Sequence, residues 1–436
     1  MARRSVAPLL IGTFILRATS GAGTIILALL LAQIATSKFH SINSIQVGLL
    51  PIAFYVTELT FAPLMGGLSD RWGRRIFLIV APLLGLVQVG LLLFTPTRNP
   101  LPYLLGLQIL SGLSGAMSTP AVLGYLADFT ASDQRRRMRI MSFYELVTSG
   151  GIATGTVLGG FIWERFGRWS FVLLASLYLV VSLCMLLAPV VNQVVDSVKY
   201  RFIVRRYLRI LRIPRLLLFI PAWLCISALV GVWLSTQVPF LLSVPSRFPD
   251  QLMVGSMSGP GGSHRLSLVL GGYALFFGLC LLFWAFFLSR ISRLRLMLIS
   301  VVGIYLACIA LAGINHRDPG NDAILLLWVP ILLIGIFAET SFAPAALAYL
   351  ADISEEAIKD RGLVMGLYSI FLGLGQILGN GLGGLFTHRF GFDGLIYLTV
   401  LLATVALLSL LWLFRQDRRY HYYGSSNRTD ALVGRE

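Results

Sequence analysis

The 436 residues predict an all-α polytopic membrane protein, twelve transmembrane helices set as two parallel-repeat six-helix bundles. Three observations predict it. The composition is 57% apolar and only 12% charged, against about 25% charged in an ordinary soluble domain. The apolar residues fall into twelve runs, each long enough to cross a hydrocarbon core of about 30 Å. The second half of the chain also repeats part of the first without a gap. Together these exclude a soluble enzyme, a disordered chain and a disulfide scaffold.

The runs lie at about 6–35, 45–68, 76–95, 101–127, 140–163, 170–191, 216–242, 266–288, 296–314, 323–350, 363–386 and 394–414. None alternates with period two, so they are not barrel strands. Lipid offers the backbone no partners, so they are helices. The first run lacks a small-residue cleavage pattern and reads as a span that stays. Four units follow: a bundle over 1–191, a basic amphipathic linker over 192–215, a bundle over 216–414 and a tail over 415–436.

The net charge of +16 raises the question of nucleic-acid binding, and the placement of the charges answers it. Of the 35 Lys and Arg, 26 lie in the segments on the side of the termini, eight in the opposite loops, and Arg17 inside the first span. The positive-inside bias therefore predicts cytoplasmic termini, and anionic headgroups account for the basic face. The expected setting is a prokaryotic plasma membrane, with the lipid bilayer and a small-molecule substrate as partners. A monomer, no nucleic acid and no metal are expected. Cys184, Cys225, Cys280 and Cys308 all fall in spans without paired spacing and read as small apolar residues.

Residues Pro120 to Gly167 align on Pro344 to Gly391 at a constant shift of 224, with 18 identities in 48 positions. Six spans, a linker and six spans in the same orientation are the plan of a rocking transporter. Within the repeat, Gly151, Gly155 and Gly159 match Gly375, Gly379 and Gly383 at four-residue spacing. This spacing predicts close helix contact, and a smooth surface along which one half slides on the other.

Between spans two and three stands Gly66-Gly67-Leu68-Ser69-Asp70-Arg71-Trp72-Gly73-Arg74-Arg75. It resembles the signature loop of the major facilitator superfamily at every position, in the expected loop. Gly66 permits close helix approach, Gly73 a sharp turn, and Asp70 can pair with arginine or a helix N-terminus. The resemblance implies that Asp70, Arg71, Arg74 and Arg75, with Asp128 and Arg137, form a cytoplasmic charge network holding one end state closed. The corresponding second-half segment, Ser289-Arg290-Ile291-Ser292-Arg293, lacks the aspartate and glycine, so the latch is expected to favour the first half. The general look is that of the superfamily's drug antiporters, with two departures. Gln108 stands where many carry arginine, and Gly155-Thr156 where many carry glycine-proline.

Arg17, Glu58 and Glu339 remain deep in spans. Arg17 is 13 residues beyond Arg4, Glu58 is 12 before Asp70, and Glu339 is 13 before Asp352. Each separation is about 18–20 Å of helix, so the three share a depth. An ionisable group there is costly and is expected to face a cavity or a partner. Arg17 and Glu58 are expected to pair, as a structural ion pair or as a cavity pair that responds to protonation or substrate. Glu339 has no cation at its depth in its own half; desolvation favours its neutral form, which suits it to carry a proton. Gln376 and Asn380, with Trp233 and Gln237, are candidates for neutral cavity contacts, although lipid contact or packing also explains the tryptophan.

The expected function is proton-coupled export of amphipathic or lipophilic small molecules by alternating access, with no cofactor beyond the proton. Uptake, movement of a lipid-linked substrate, or a non-transporting sensor or assembly factor on the same fold are the alternatives. A membrane enzyme is weakest: His40, His264, His316, His388 and His421 lie in or near loops, and no nucleophile has a base.

Overall fold

The structure, a computed structural model, describes residues 6–37, 42–129, 134–188, 213–245, 247–287, 291–356 and 361–433. The linker expected over 192–215 lies outside these residues except for its last three. All regular secondary structure among the described residues is helical. The first half holds α1 (Ala7–Ala35), α2 (Ser44–Trp72), α3 (Arg74–Leu92), α4 (Leu101–Phe129), α5 (Gln134–Phe166) and α6 (Ser170–Leu186). The second holds α7 (Pro214–Trp233), α8 (Gln237–Ser243), α9 (Gly262–Phe287), α10 (Arg293–Asn315), α11 (Leu325–Glu339), α12 (Phe342–Glu356), α13 (Arg361–Phe390) and α14 (Phe392–Val433).

Local chemistry sets the helix ends. A capping box starts α2: the Gln46 amide donates to Asn43 Oδ1 at 3.0 Å, and the Asn43 amide to Gln46 Oε1 at 2.9 Å. The turn from α2 into α3 is made by Gly73 alone at φ +90°, a conformation that glycine adopts without strain. Pro214 occupies the first turn of α7, where its missing amide costs nothing.

Among the described residues, eleven stretches are long and apolar enough to cross a membrane. One of them, Phe143–Leu186, holds most of α5 and all of α6, so the crossings match the twelve predicted spans. Exposed Leu187, Phe286, Leu326 and Trp412 face outward, as expected of a surface solvated by lipid tails.

Two spans differ from expectation. Span seven is broken between α7 and α8, and span ten between α11 and α12. Composition cannot foretell this, because both sides of each break are equally apolar. In span ten, Pro344 is the third residue of α12; its ring opposes the carbonyl four residues back, on Thr340, where the helix parts. The last helix also runs on to Val433, through the region expected as a tail.

Buried apolar residues form two clusters in the first half and one in the second. The clusters exchange members. Phe240 of α8 is 2% exposed within a first-half cluster, while Ile25 and Leu29 of α1 belong to the second-half cluster.

Candidate functional site

Helix α1 packs on α5 and α6, and α2 packs on α4. This arrangement seats Arg17 and Glu58 against different neighbouring helices. The Arg17 Cβ lies against Gly151, where an added Cβ would stand 2.9 Å from it. Glu58 leans over Gly115 of α4, its Oε1 3.2 Å from the place a Cβ would occupy there. Arg17 has Glu58, Tyr55 and Tyr178 as electrostatic neighbours. Yet no ion pair joins Arg17 to Glu58, and the buried Arg17 Nε has no hydrogen-bond partner among the described residues. The direct pair expected from sequence is therefore not formed in this conformation, because each side chain is seated on a different neighbouring helix.

Glu339 is the last residue of α11, at the break. The break frees the Phe337 carbonyl from its helical partner, and two groups satisfy it. Thr340 Oγ1 donates to it at 2.7 Å, and Trp284 Nε1 donates from α9 at 2.7 Å. Ser341 Oγ ties the break to α10 through the Leu296 carbonyl at 3.0 Å. The Glu339 carboxyl lies near Tyr273 of α9 and Cys308 of α10. Among the described residues no cation influences it. Extending the 224-residue shift pairs Glu339 with Gly115, the glycine under Glu58. Both halves thus hold a carboxylate at the same level, from different helices.

The halves meet at the end opposite the termini. Gln237, 1% exposed at the start of α8, donates to the Ser44 carbonyl of α2 at 3.2 Å and to Thr387 Oγ1 of α13 at 2.6 Å. Ser267 Oγ of α9 accepts from the Gly160 amide at 2.7 Å and donates to the Thr156 carbonyl at 3.1 Å. Glu164 of α5 accepts from the His264 amide in the first turn of α9 at 3.2 Å, a carboxylate at a helix N-terminus. The His264 ring lies 3.9 Å from that of Phe161.

Several predicted cavity residues sit elsewhere. Gln237 is part of this closure. Trp233 faces α14 inside its own half, donating to Thr399 Oγ1 at 2.9 Å and meeting Phe392 edge-on. Asn380 is 1% exposed where α2, α7 and α13 converge; its Nδ2 donates to the Gln376 carbonyl at 2.8 Å and its Oδ1 is unpartnered. Gln376 and Gln108 are partly buried on α13 and α4.

The glycine stripes correct a prediction. Gly151, Gly155 and Gly159 pack α5 on α1 within the first half, and Gly375, Gly379 and Gly383 pack α13 on α7 within the second. They are interface glycines, but not of the surface between halves. That surface uses Gly48, Gly373, Gly381 and Gly384 between α2 and α13, and Gly160 and Gly271 between α5 and α9. Spacing identifies a face; it does not identify the helix across from it.

At the end carrying the termini, Asp70 pairs with Arg74 at 3.0 Å. Gly66 lies in contact distance of Pro120 on α4. Arg75 Nη2 donates to the Leu186 carbonyl at 2.9 Å, closing the C-terminus of α6. The Arg74 guanidinium fills the space a Cβ would take at Gly124 of α4, one turn before Asp128. Arg71 is exposed at the end of α2. The side chains of Asp128 and Arg137 lie outside the described ones. The expectation of a lopsided latch is overturned: Asp352 of α12 pairs with Arg293, the first residue of α10, as Arg74 is the first of α3.

Sequence reasoning also missed a polar knot on the far side. Asp393 accepts from Asn315 Nδ2 at 2.8 Å and Gln251 Nε2 at 3.2 Å and contacts His316 Nε2 at 2.9 Å, pinning the segment between α8 and α9. Their positions in or near loops hid these residues.

The Major Facilitator Superfamily profile matches residues 9–263 and 260–429. Multidrug resistance protein 1 of Bacillus subtilis (strain 168) is 26% identical over 156 residues, 34% of this chain and 36% of that protein. The quinolone resistance protein NorA of Staphylococcus aureus (strain Mu50) is 27% identical over 126 residues, 29% of this chain and 31% of its own. The chain thus spans about a third of the length of the curated relatives it matches. Among solved structures, the nucleoside transporter NupG superposes with a TM-score of 0.71 at 15% identity, over 94% of this chain and 98% of that one. A POT family transporter follows at 0.68 and 12% identity, over 95% and 96%. These superpositions establish the fold. With the profile matching nearly the whole chain, the twelve crossings and the signature loop, this chain belongs to the Major Facilitator Superfamily.

Proposed function

We propose that this chain is a secondary active transporter that exports amphipathic or lipophilic small molecules in exchange for protons. It works as a monomer in the plasma membrane with both termini in the cytoplasm. One observation carries the reading. Arg17, Glu58 and Glu339 all lie within spans, at one depth by their spacing in sequence, and none is joined to a described residue by a hydrogen bond or ion pair. Charges so placed are costly unless they meet a proton, a substrate or each other during a working cycle. The closure at the end away from the termini supplies one of the two states such a cycle needs.

Glu339 is the proton carrier in this scheme, because it stands at a helix break with no cation beside it among the described residues. The partial matches to a multidrug resistance protein and a quinolone resistance protein support a lipophilic substrate range. The test is uptake into proteoliposomes under an imposed pH gradient, over a panel of cationic, neutral and anionic amphipaths. Gradient-dependent accumulation is expected for the wild type and not for Glu339→Gln. No movement of any compound would overturn export and favour a sensor.

A further inference from the structure

We propose that Arg17 is a subsite for an oxyanion, which makes an amphipathic carboxylic acid the preferred substrate class. The inference deepens the export reading and rests on it for the word substrate. An unpartnered guanidinium in the middle of a helix bundle is costly, because it is a permanent charge with donors set in a planar fork. Most buried arginines have their own carboxylate. Here the nearest candidate, Glu58, is an electrostatic neighbour but not a bonded one, because its carboxyl leans over Gly115 on α4. The Arg17 Cβ is held against Gly151 on α5, and Nε is left buried without an acceptor.

What remains around Arg17 fits an aromatic acid. Tyr55 and Tyr178 are its other electrostatic neighbours, two aromatic rings with hydroxyls in its vicinity. The Tyr178 ring is itself fixed in the hollow of Gly85 on α3, where an added Cβ would stand 2.5 Å from the ring. A carboxylate reaching Arg17 would satisfy the fork with paired hydrogen bonds, the strong geometry for this pair of groups.

The test compares binding of matched acids and methyl esters to the purified full chain in nanodiscs by equilibrium dialysis. Three pairs serve: a quinolone acid, a naphthylacetic acid and a bile acid, each against its ester. In the wild type at least one acid is expected to bind about 10- to 100-fold more tightly than its ester, the range for a hydrogen bond to a charged group. In Arg17→Gln that ratio is expected to fall to within about twofold, through loss of acid affinity while the ester is unaffected. Glu58→Gln, which removes a neighbouring carboxylate and leaves Arg17 in place, is expected to keep or increase the ratio. Equal binding of every acid and ester by the wild type overturns the proposal. So does an unchanged ratio in Arg17→Gln, or its loss in Glu58→Gln. The export reading fails separately. Arg17-dependent acid binding with no compound moved in proteoliposomes removes export and leaves the subsite standing. Gradient-driven movement of lipophilic cations with no acid preference does the reverse.

Discussion

The two halves of this protein place a carboxylate at the same level by opposite means. In the first half, α4 runs unbroken through Pro120, presents Gly115, and receives Glu58 from α2. In the second, the position paired with Gly115 is Glu339 itself, and the proline paired with Pro120 coincides with a break. Prolines are tolerated within membrane helices when neighbours satisfy the freed backbone, so proline alone does not decide the outcome. Around Thr340 and Ser341, side-chain hydroxyls and Trp284 take over the orphaned backbone groups, and the helix can part at little cost. Among the described residues, one half therefore has a carboxylate near a cation, and the other has one without a cation.

The largest expected effect is on proton coupling. If the lone carboxylate carries the proton, Glu339→Gln reduces gradient-driven flux to the rate without a gradient, while Glu58→Gln retains part of it. Equal loss in both would remove the distinction between halves. Next is the closure. Phe240→Ala is expected to cost about 3–5 kcal/mol of the contact joining α8 to the first half. Labelling of single cysteines near Ser44 is the measurement, and a rise in their accessibility is the expected result. Third, Gly155→Leu overlaps the Ala18 carbonyl and Gly379→Leu the Ala228 carbonyl, both within their own halves. Each is expected to destabilise the protein by about 1–3 kcal/mol, read as a lower melting temperature in detergent. A transport defect at unchanged stability would restore the sliding role that the packing removes. The smallest effect belongs to the latches. The Asp352–Arg293 pair is nearly half exposed on both sides, so Arg293→Ala is expected to cost only about 0.2–1 kcal/mol, measured by thermal unfolding beside Arg74→Ala.

The membrane class, the twelve crossings, the repeat and the signature loop were legible because each follows from composition or spacing. The depth expected for Arg17, Glu58 and Glu339 came from the same source, since helical rise converts residue number into height, but in span ten that ruler crosses the break after Glu339. Which neighbour each group meets was not. Periodicity set Gly155 on a face without saying that α1 lies against it. Gln237 stood out as a polar residue in an apolar run, but nothing in the run distinguishes a cavity contact from a bridge to Ser44. Phe240 gave no signal, being one apolar residue among many. The second-half latch was hidden because its aspartate comes from α12 and its arginine from the start of α10, far apart in sequence.

The seating of Phe240 in the core of the opposite half has a consequence for how the chain is made. The first six helices emerge from the ribosome before α8 exists, so their packing stays incomplete until residue 240 has been synthesised and inserted. Domains generally fold in order during synthesis, N-terminal first. Here the earlier half waits on the later one, and a chain truncated after the linker carries an unfilled place in its own interior.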